Sequence, residues 1–310
     1  MRYILLSILL TLSAGSAVAA PFAYSVNSNG VDSATSDSLY RINLANGKTK
    51  RFNKVRLNET AINSDIEGLA FDANGILYAV DDADETLLTI DIETGLGQSV
   101  SGNPFNLELT SGKNYDFGLT FTCEGALLMA SDDNQTLYRL NSETGSATIV
   151  GAVLKAPITA LAAWGDKVYG LGQGSSNNTV LAPNLYAIDV ETGKTTLIGA
   201  LGNAAKLYVN GGLAFDTDGQ LWAVTDRFNI NNKDYPSQIL KIDTESGEAE
   251  AIAETPVIGL ESLAISEPLG CIPDVAPQVA TGIPALGPLS ILLMTLSLLL
   301  AGGLNIRVRN

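Results

Sequence analysis

The chain has 310 residues, with 33 Asp and Glu against 18 Lys and Arg, a formal net charge of -15 and no histidine. The lack of histidine excludes Ser-His-Asp and Cys-His catalysis and histidine-ligated zinc, so any chemistry rests on carboxylates, Lys, Tyr, Ser, Thr or metal-bound water. The negative charge, without a Lys- or Arg-rich run, predicts no nucleic acid partner.

Residues 1–19 have the layout of a secretory signal peptide. Arg2 is followed by an apolar stretch from Tyr3 to Leu12 and by small residues that end at Ala19. This pattern predicts export and cleavage after Ala19. An N-terminal membrane anchor is the alternative, but it needs a longer apolar span than this one.

A repeated segment runs through the middle of the chain. Each copy is a short alternating strand followed by a turn, in which a polar side chain can cap the turn and a glycine can take positive φ. Strand-turn-strand units such as 68–80 and 212–224 precede these copies, so each repeat holds four short strands. Four antiparallel strands at this period are typical of a β-propeller. The closing glycines of the five copies are Gly47, Gly95, Gly145, Gly193 and Gly247.

Both chain ends are expected to share one blade. The last inner strand, 261–265, has no strands after it, and the exported chain begins with a second strand, 22–26. Joining them leaves no open sheet edge and predicts an all-β, five-bladed propeller over residues 20–266. A β-sandwich is the alternative, although it does not require five copies of one motif. The predicted blades are 260–266 with 22–55, 66–109, 117–155, 158–201 and 211–255.

The turn and strand patterns of residues 22–266 resemble those of secreted bacterial propellers, including NHL-type repeats and gluconolactonase-like lactonases. This resemblance implies a propeller fold. It also implies a divalent metal held by carboxylates and amides, and Glu67 followed by Gly68 resembles the start of that ligand set. The rest of the set has no residue-by-residue match here.

Acidic residues gather in the loops of one propeller face. Loops that enter inner strands share a face with loops that leave second strands, and Glu67 and Glu261 hold equivalent places in adjacent blades, so they are expected to face each other at the channel mouth. Converging oxygen ligands suit Ca²⁺, and the alternative is that the loop acids are solvated turn formers. The candidate metal ligands are Asp65, Glu67, Asp116, Asn210 and Glu261, and the candidate loop-face binding residues are Asp81, Asp82, Asp132, Asp133 and Asp226.

The two cysteines, Cys123 and Cys271, each follow an inner strand, which places them on the opposite face. Export puts them in an oxidising compartment, where a disulfide can form. Their blades are not neighbours, so the sequence leaves the pairing open. Residues 267–282, with three prolines, are predicted to be a semi-rigid spacer.

The C-terminal tail, 283–310, predicts a membrane helix over 286–304, because this apolar run has the length of a bilayer span. Arg307 and Arg309 are then expected on the cytoplasmic side of the inner membrane, with the propeller in the periplasm or at the cell surface. The run Ile283-Pro284-Ala285-Leu286, the apolar helix and the basic tip resemble the IPTL-CTERM and PEP-CTERM tails processed by exosortase-type sorting enzymes. Ala285 stands where that motif has Thr, and a simple tail anchor fits equally well.

Two functions follow from these patterns. The first is a non-enzymatic binding module for a protein or glycan at the cell envelope. The second is a metal-dependent lactonase or esterase that uses Glu67 and Glu261. The lack of histidine, of an identifiable nucleophile and of a full metal-ligand set favours the binding module over the enzyme.

Overall fold

The computed structural model describes residues 21–57, 65–109, 116–151, 154–176, 179–181 and 183–265. They form five antiparallel blades, each with four main strands. Every inner strand contacts the inner strands of both neighbouring blades, so these strands form a closed ring. The predicted five-bladed, all-β propeller is therefore confirmed.

The first three blades follow one another along the chain. Blade 1 contains β1 (Phe22–Val26), β2 (Ser38–Asn43) and β3 (Thr49–Lys54), and the short β4 (Arg56–Leu57) then pairs in parallel with the outer strand of blade 2. Blade 2 contains β5 (Ile66–Phe71), β6 (Leu77–Asp81), β7 (Thr86–Ile90) and β8 (Leu96–Ser99). Blade 3 contains β9 (Phe117–Phe121), β10 (Leu127–Ser131), β11 (Thr136–Leu140) and β12 (Ala147–Ile149).

The last two full blades carry longer loops. Blade 4 begins with β13 (Ile158–Trp164) and β14 (Lys167–Gly172), has a small hairpin of β15 (Ser175–Ser176) and β16 (Thr179–Val180), and ends with β17 (Asn184–Ile188) and β18 (Thr195–Ala200). A 3-10 turn, Gly202–Ala204, leads to blade 5. Blade 5 contains β19 (Gly211–Phe215), β20 (Leu221–Thr225), β21 (Gln238–Ile242) and β22 (Ala249–Glu254).

The repeated turn has the geometry that its sequence predicts. In blade 2, Asp91 Oδ1 accepts the backbone N–H groups of Glu93 and Thr94 at 2.9 and 2.8 Å. Gly95 then takes φ 72°, a conformation that costs a residue with a side chain about 1–2 kcal/mol. The glycines that close the other four copies also have positive φ. The turn of each repeat is therefore defined by its own residues.

Five buried apolar clusters lie between the blades, one at each interface between neighbours. Aromatic pairs join the sheets across these interfaces: Tyr24 meets Phe71 edge-on with ring centroids 5.7 Å apart, and Tyr78 meets Phe121 at 5.1 Å. Because no sheet buries both faces alone, all five clusters form only when the ring is closed.

The channel is narrow because small residues bring the inner strands together. A Cβ on Gly212 would lie 2.1 Å from the backbone nitrogen of Leu263, so this approach requires glycine. One leucine per blade then fills the axis around a cavity of about 10 Å³. These leucines are Leu69, Leu119, Leu161, Leu213 and Leu263, each 3% exposed or less.

The final strand, β23 (Ala264–Ile265), closes blade 1 by pairing antiparallel with β1. The predicted inner strand covered 261–265, so the observed strand is three residues shorter. The reason lies at Ser262, whose Oγ accepts the Val26 N–H at 3.1 Å in place of a backbone carbonyl. The closure itself matches the prediction.

Several predicted segments lie outside the described residues. They are the signal peptide 1–19, the spacer 267–282 and the tail 283–310 with its helix 286–304 and its motif Ile283 to Leu286. Within the part of the chain that the structure describes, no helix is both long and apolar enough to span a bilayer.

Candidate metal centre

The candidate ligands lie where inner strands begin. Asp65, Asp116 and Asn210 directly precede β5, β9 and β19, and Glu261 precedes β23. Glu67 lies at an irregularity in β5, where the register to β6 shifts between Ile66 and Gly68. All the inner strands start at the same end of the ring, so their first residues meet around the channel mouth.

The geometry brings these side chains together. Carboxylate oxygens of Asp65, Glu67 and Glu261 lie within 4.8 Å of one another. Asn210 Nδ2 lies between the two glutamates, 3.4 Å from Glu67 Oε2 and 3.3 Å from Glu261 Oε2, and donates to both. Asp116 of blade 3 lies close to the Asn210 side chain, whose amide partly offsets the rise in the pKa of Asp116. The five predicted ligands therefore form one cluster, which we call the mouth cluster.

Asn210 contributes an unusual atom to the mouth cluster. Its side chain is only 2% exposed, yet its Oδ1 has no hydrogen-bond partner among the described residues. A buried acceptor without a donor costs on the order of 1–3 kcal/mol. Carboxylates cannot satisfy it unless they carry a proton, whereas a cation can. The orphaned oxygen therefore fits a bound cation.

The electrostatics of the mouth cluster point the same way. Burial, followed by the nearby Glu261 and Asp116 charges, raises the pKa of Glu67 well above its usual value. Burial and the charge of Asp226 raise the pKa of Glu261 in the same direction. Among the described residues, no Lys or Arg forms an ion pair with the cluster. Like charges buried together need either protons or a cation.

The predicted loop-face acids divide into two groups. Asp81 and Asp226 are 2% and 0% exposed. Asp81 Oδ1 accepts the N–H groups of Asp65 and Asp84, both at 3.3 Å, and Asp226 Oδ1 accepts the Phe228 N–H at 2.8 Å. These two acids therefore hold the loops in shape from inside the protein.

The other three acids of this set are more accessible. Asp82 and Asp132 are half-buried and Asp133 is exposed. Asp132 Oδ1 accepts the Asp116 N–H at 3.0 Å, which fixes the start of β9. Burial, then the charge of Asp65, raises the pKa of Asp82 to about 8. The Asp82 side chain lies close to that of Asp65, so Asp82 borders the mouth cluster.

A segment that the sequence analysis missed covers one side of the mouth. The loop between β1 and β2, residues 27–37, is here called the strap. The Asn29 N–H donates to Glu261 Oε1 at 2.9 Å, and Asn29 Nδ2 donates to Asp226 Oδ2 at 3.1 Å. Like the long loops of blades 4 and 5, the strap connects the second and third strands of its blade. This position is the feature of the sequence from which its place at the mouth could have been predicted.

The described cysteine, Cys123, is disulfide-bonded. Cys271 lies outside the described residues. Disulfides persist in oxidising compartments, and export of this chain stays a prediction. The pairing of Cys123 with Cys271 stays a prediction.

No known protein family and no curated protein matches this chain. Among solved structures, the chain is similar to selenomethionine-substituted virginiamycin B lyase from Staphylococcus aureus, with 17% sequence identity and a TM-score of 0.40. The match covers 70% of this chain and 63% of that structure, so it spans less than two thirds of the lyase. At this level the likeness carries no argument about activity, and the fold assignment rests on the five sheets themselves.

Proposed function

We propose that this protein is an exported, membrane-anchored propeller that binds Ca²⁺ at the channel mouth and a protein or glycan of the cell envelope on the surrounding face. The observation that carries the proposal is the orphaned Asn210 Oδ1, buried on a side chain whose Nδ2 lies beside the carboxylates of Glu67 and Glu261. With the amide rotated so that Oδ1 faces the carboxylates, a cation would satisfy this oxygen and offset the carboxylate charge at the same time.

The donor set suits Ca²⁺ more than a transition metal. Asp65, Glu67 and Glu261 supply carboxylate oxygens within 4.8 Å of one another, and Asn210 supplies an amide oxygen. Ca²⁺ takes six to eight oxygen ligands, while zinc and copper sites usually include His or Cys. Asp116 lies beside Asn210 and is a further oxygen donor within the same cluster.

The surface around the mouth has the character of a binding face. Three long loops lie there, because each connects a second strand to a third strand. They are the strap, the blade 4 loop with its described residues 173–176, 179–181 and 183, and the loop 226–237. Val31 on the strap is 55% exposed and Val180 on the blade 4 loop is 61% exposed. Apolar tips beside acidic and amide groups suit a large ligand held by several loops.

Thermal unfolding with EDTA and then with excess Ca²⁺ tests the cation site. At a hundred times the dissociation constant, Ca²⁺ should stabilise the folded state by about 2.7 kcal/mol, which raises Tm by about 5 to 11 °C at this size. Glu67→Gln should abolish the shift and still fold, since it removes a buried charge. The exposed Glu245→Gln is the matched control and should keep the shift. An unchanged wild-type Tm contradicts the cation site.

A second candidate is Ca²⁺-dependent hydrolysis of lactones or esters. The observation in its favour is Asp82, a half-buried acid beside Asp65 at the edge of the cluster, whose pKa is raised to about 8 by burial and by the charge of Asp65, so that it can exchange a proton near neutral pH. Turnover of a lactone panel that needs Ca²⁺ and is lost in both Glu67→Gln and Asp82→Asn supports the hydrolase. Ca²⁺ binding without turnover supports the binding module.

Export and anchoring are tested on the protein isolated from its own cells. Mass spectrometry should find a mature N-terminus at Ala20 and the protein in the membrane fraction. A C-terminal peptide that still contains Arg307 supports a simple anchor, and a mature chain that ends before the apolar run supports processing by a sorting enzyme. A soluble chain that retains residues 1–19 contradicts the proposal.

A further inference from the structure

The joint that closes the ring is short. β23 has two residues, and its register with β1 consists of the pairs Ala23 with Ile265 and Tyr24 with Ala264. Between the other inner strands and their neighbours the register runs over five or six pairs. Fewer backbone bonds therefore hold the chain ends together than hold any other inner strand in place.

Glu261 lies next to this joint and connects it to three blades. Its own N–H donates to the Val26 carbonyl at the end of β1, at 3.3 Å. Its carboxylate accepts the Asn29 N–H through Oε1 and Asn210 Nδ2 through Oε2, and it faces Glu67 of blade 2. The mouth cluster therefore includes the residue on which the closing strand depends.

The strap adds two more links at the same place. Asn29 Nδ2 reaches Asp226 of blade 5. Ser28 Oγ donates to the Ile66 carbonyl at 2.9 Å and accepts the Ile66 N–H at 3.0 Å, so the strap also reaches blade 2. The strap thus spans the two blades on either side of blade 1, directly beside Glu261.

We propose that the cation is the clasp of the ring: bound by Glu261 of the closing segment together with Glu67 and Asn210, it locks β23, β1 and the strap onto blades 2 and 5. This inference rests on the proposed cation site. Without the cation, the buried carboxylates of Glu67 and Glu261 repel each other unless they take up protons. With the cation, both carboxylates are attracted to one centre, and opening the joint requires its release.

Amide hydrogen exchange of the full chain, with EDTA and with Ca²⁺, tests the clasp. Openings that release the cation should become rarer by the factor by which Ca²⁺ exceeds its dissociation constant, about a hundredfold at a hundred times that constant. Exchange in β1 and in the strap should slow by this factor. Exchange in β11 of blade 3, which opens without breaking the site, should change by less than about twofold.

Calorimetric titration of Ca²⁺ on the same sample separates the proposed cation site from the proposed clasp. Binding with selective protection of β1 and the strap supports the clasp. Binding with equal protection of all blades, or with none in β1, overturns the clasp and leaves the cation site standing. No binding overturns both.

Two variants sharpen the test. Glu261→Gln should lose the Ca²⁺-dependent protection of β1, while the exposed Glu245→Gln should keep it. Asn29→Ala leaves every proposed ligand in place but removes the bond from the strap to Asp226. Because coupling is reciprocal, this change should weaken Ca²⁺ binding roughly two- to tenfold, the range for one lost hydrogen bond. An unchanged affinity would separate the strap from the site and contradict its part in the clasp.

Discussion

The cation-free protein is expected to lose stability as the pH rises from 5 to 8. Burial raises the pKa of Asp81 from 3.8 to about 7. The same carboxyl titrates near 4 in the unfolded chain. Between these values the folded state holds a proton that the unfolded chain has released. Protons therefore favour the folded state, and the free energy of unfolding falls as the pH rises through this window.

The size of this loss of stability follows from the shift in the pKa of Asp81. For Asp81, about three pKa units at about 1.4 kcal/mol each correspond to about 4 kcal/mol between pH 4 and 8. In a protein of this length each kcal/mol moves Tm by about 2–4 °C. About 2.6 kcal/mol of this is lost between pH 5 and 8, so a drop in Tm of about 5–10 °C is expected from this carboxyl, in EDTA, by scanning calorimetry at pH 5, 6, 7 and 8.

The variant Asp81→Asn tests how much the charge of Asp81 contributes to the fall of Tm with pH. The amide oxygen still accepts the N–H groups of Asp65 and Asp84, but it carries no charge, so the fall of Tm with pH should become shallower. Asp243→Asn is the control, because hydrogen bonds from the backbone of Ser246 lower the pKa of Asp243 and keep it ionised across this range. The reasoning is refuted by a wild-type Tm that stays constant or rises with pH. A full wild-type slope in Asp81→Asn also refutes it.

Two further predictions concern the scaffold. Gly212→Ala should lower the free energy of unfolding in urea by about 3 kcal/mol or more, because its Cβ would meet the Leu263 backbone. Gly75→Ala, at a residue with φ 78° and open space around it, should lower it by about 1 kcal/mol. Equal losses would contradict the close approach at Gly212. Asn106→Ala should cost about 2 kcal/mol, since the buried amide both donates to and accepts from the Leu87 backbone at 2.9 and 2.7 Å. A neutral Asn106→Ala would show that water replaces this pairing.

The blades could be predicted from the sequence because the residues of each repeat determine its turn locally. An Asp or Asn that caps the turn and a glycine with positive φ define a hairpin without reference to the rest of the chain. The meeting of Glu67 with Glu261 followed from the same logic, since equivalent residues of neighbouring inner strands must lie close together in a ring. The repeated motif was therefore enough to predict both the propeller fold and the meeting of the two glutamates.

The strap could not be predicted in the same way. Asn29 meets Asp226 across 197 residues of chain, and this contact depends on how the closed ring places blades 1 and 5. The roles of the loop acids also depend on geometry, because Asp81 points into its own turn while Asp82 borders the cluster. Residue type and spacing are alike for these two, so the sequence contains no signal that separates them.

The ring of five leucines closes the channel beneath the mouth. The space among them, about 10 Å³, is at the limit for a single water molecule. A second cavity of about 50 Å³, lined by Phe71, Trp164 and Ile265 among others, lies on the other side of these leucines. A cation or chelator is therefore expected to enter and leave at the mouth, and a ligand seated on that face would slow the exchange of the cation beneath it.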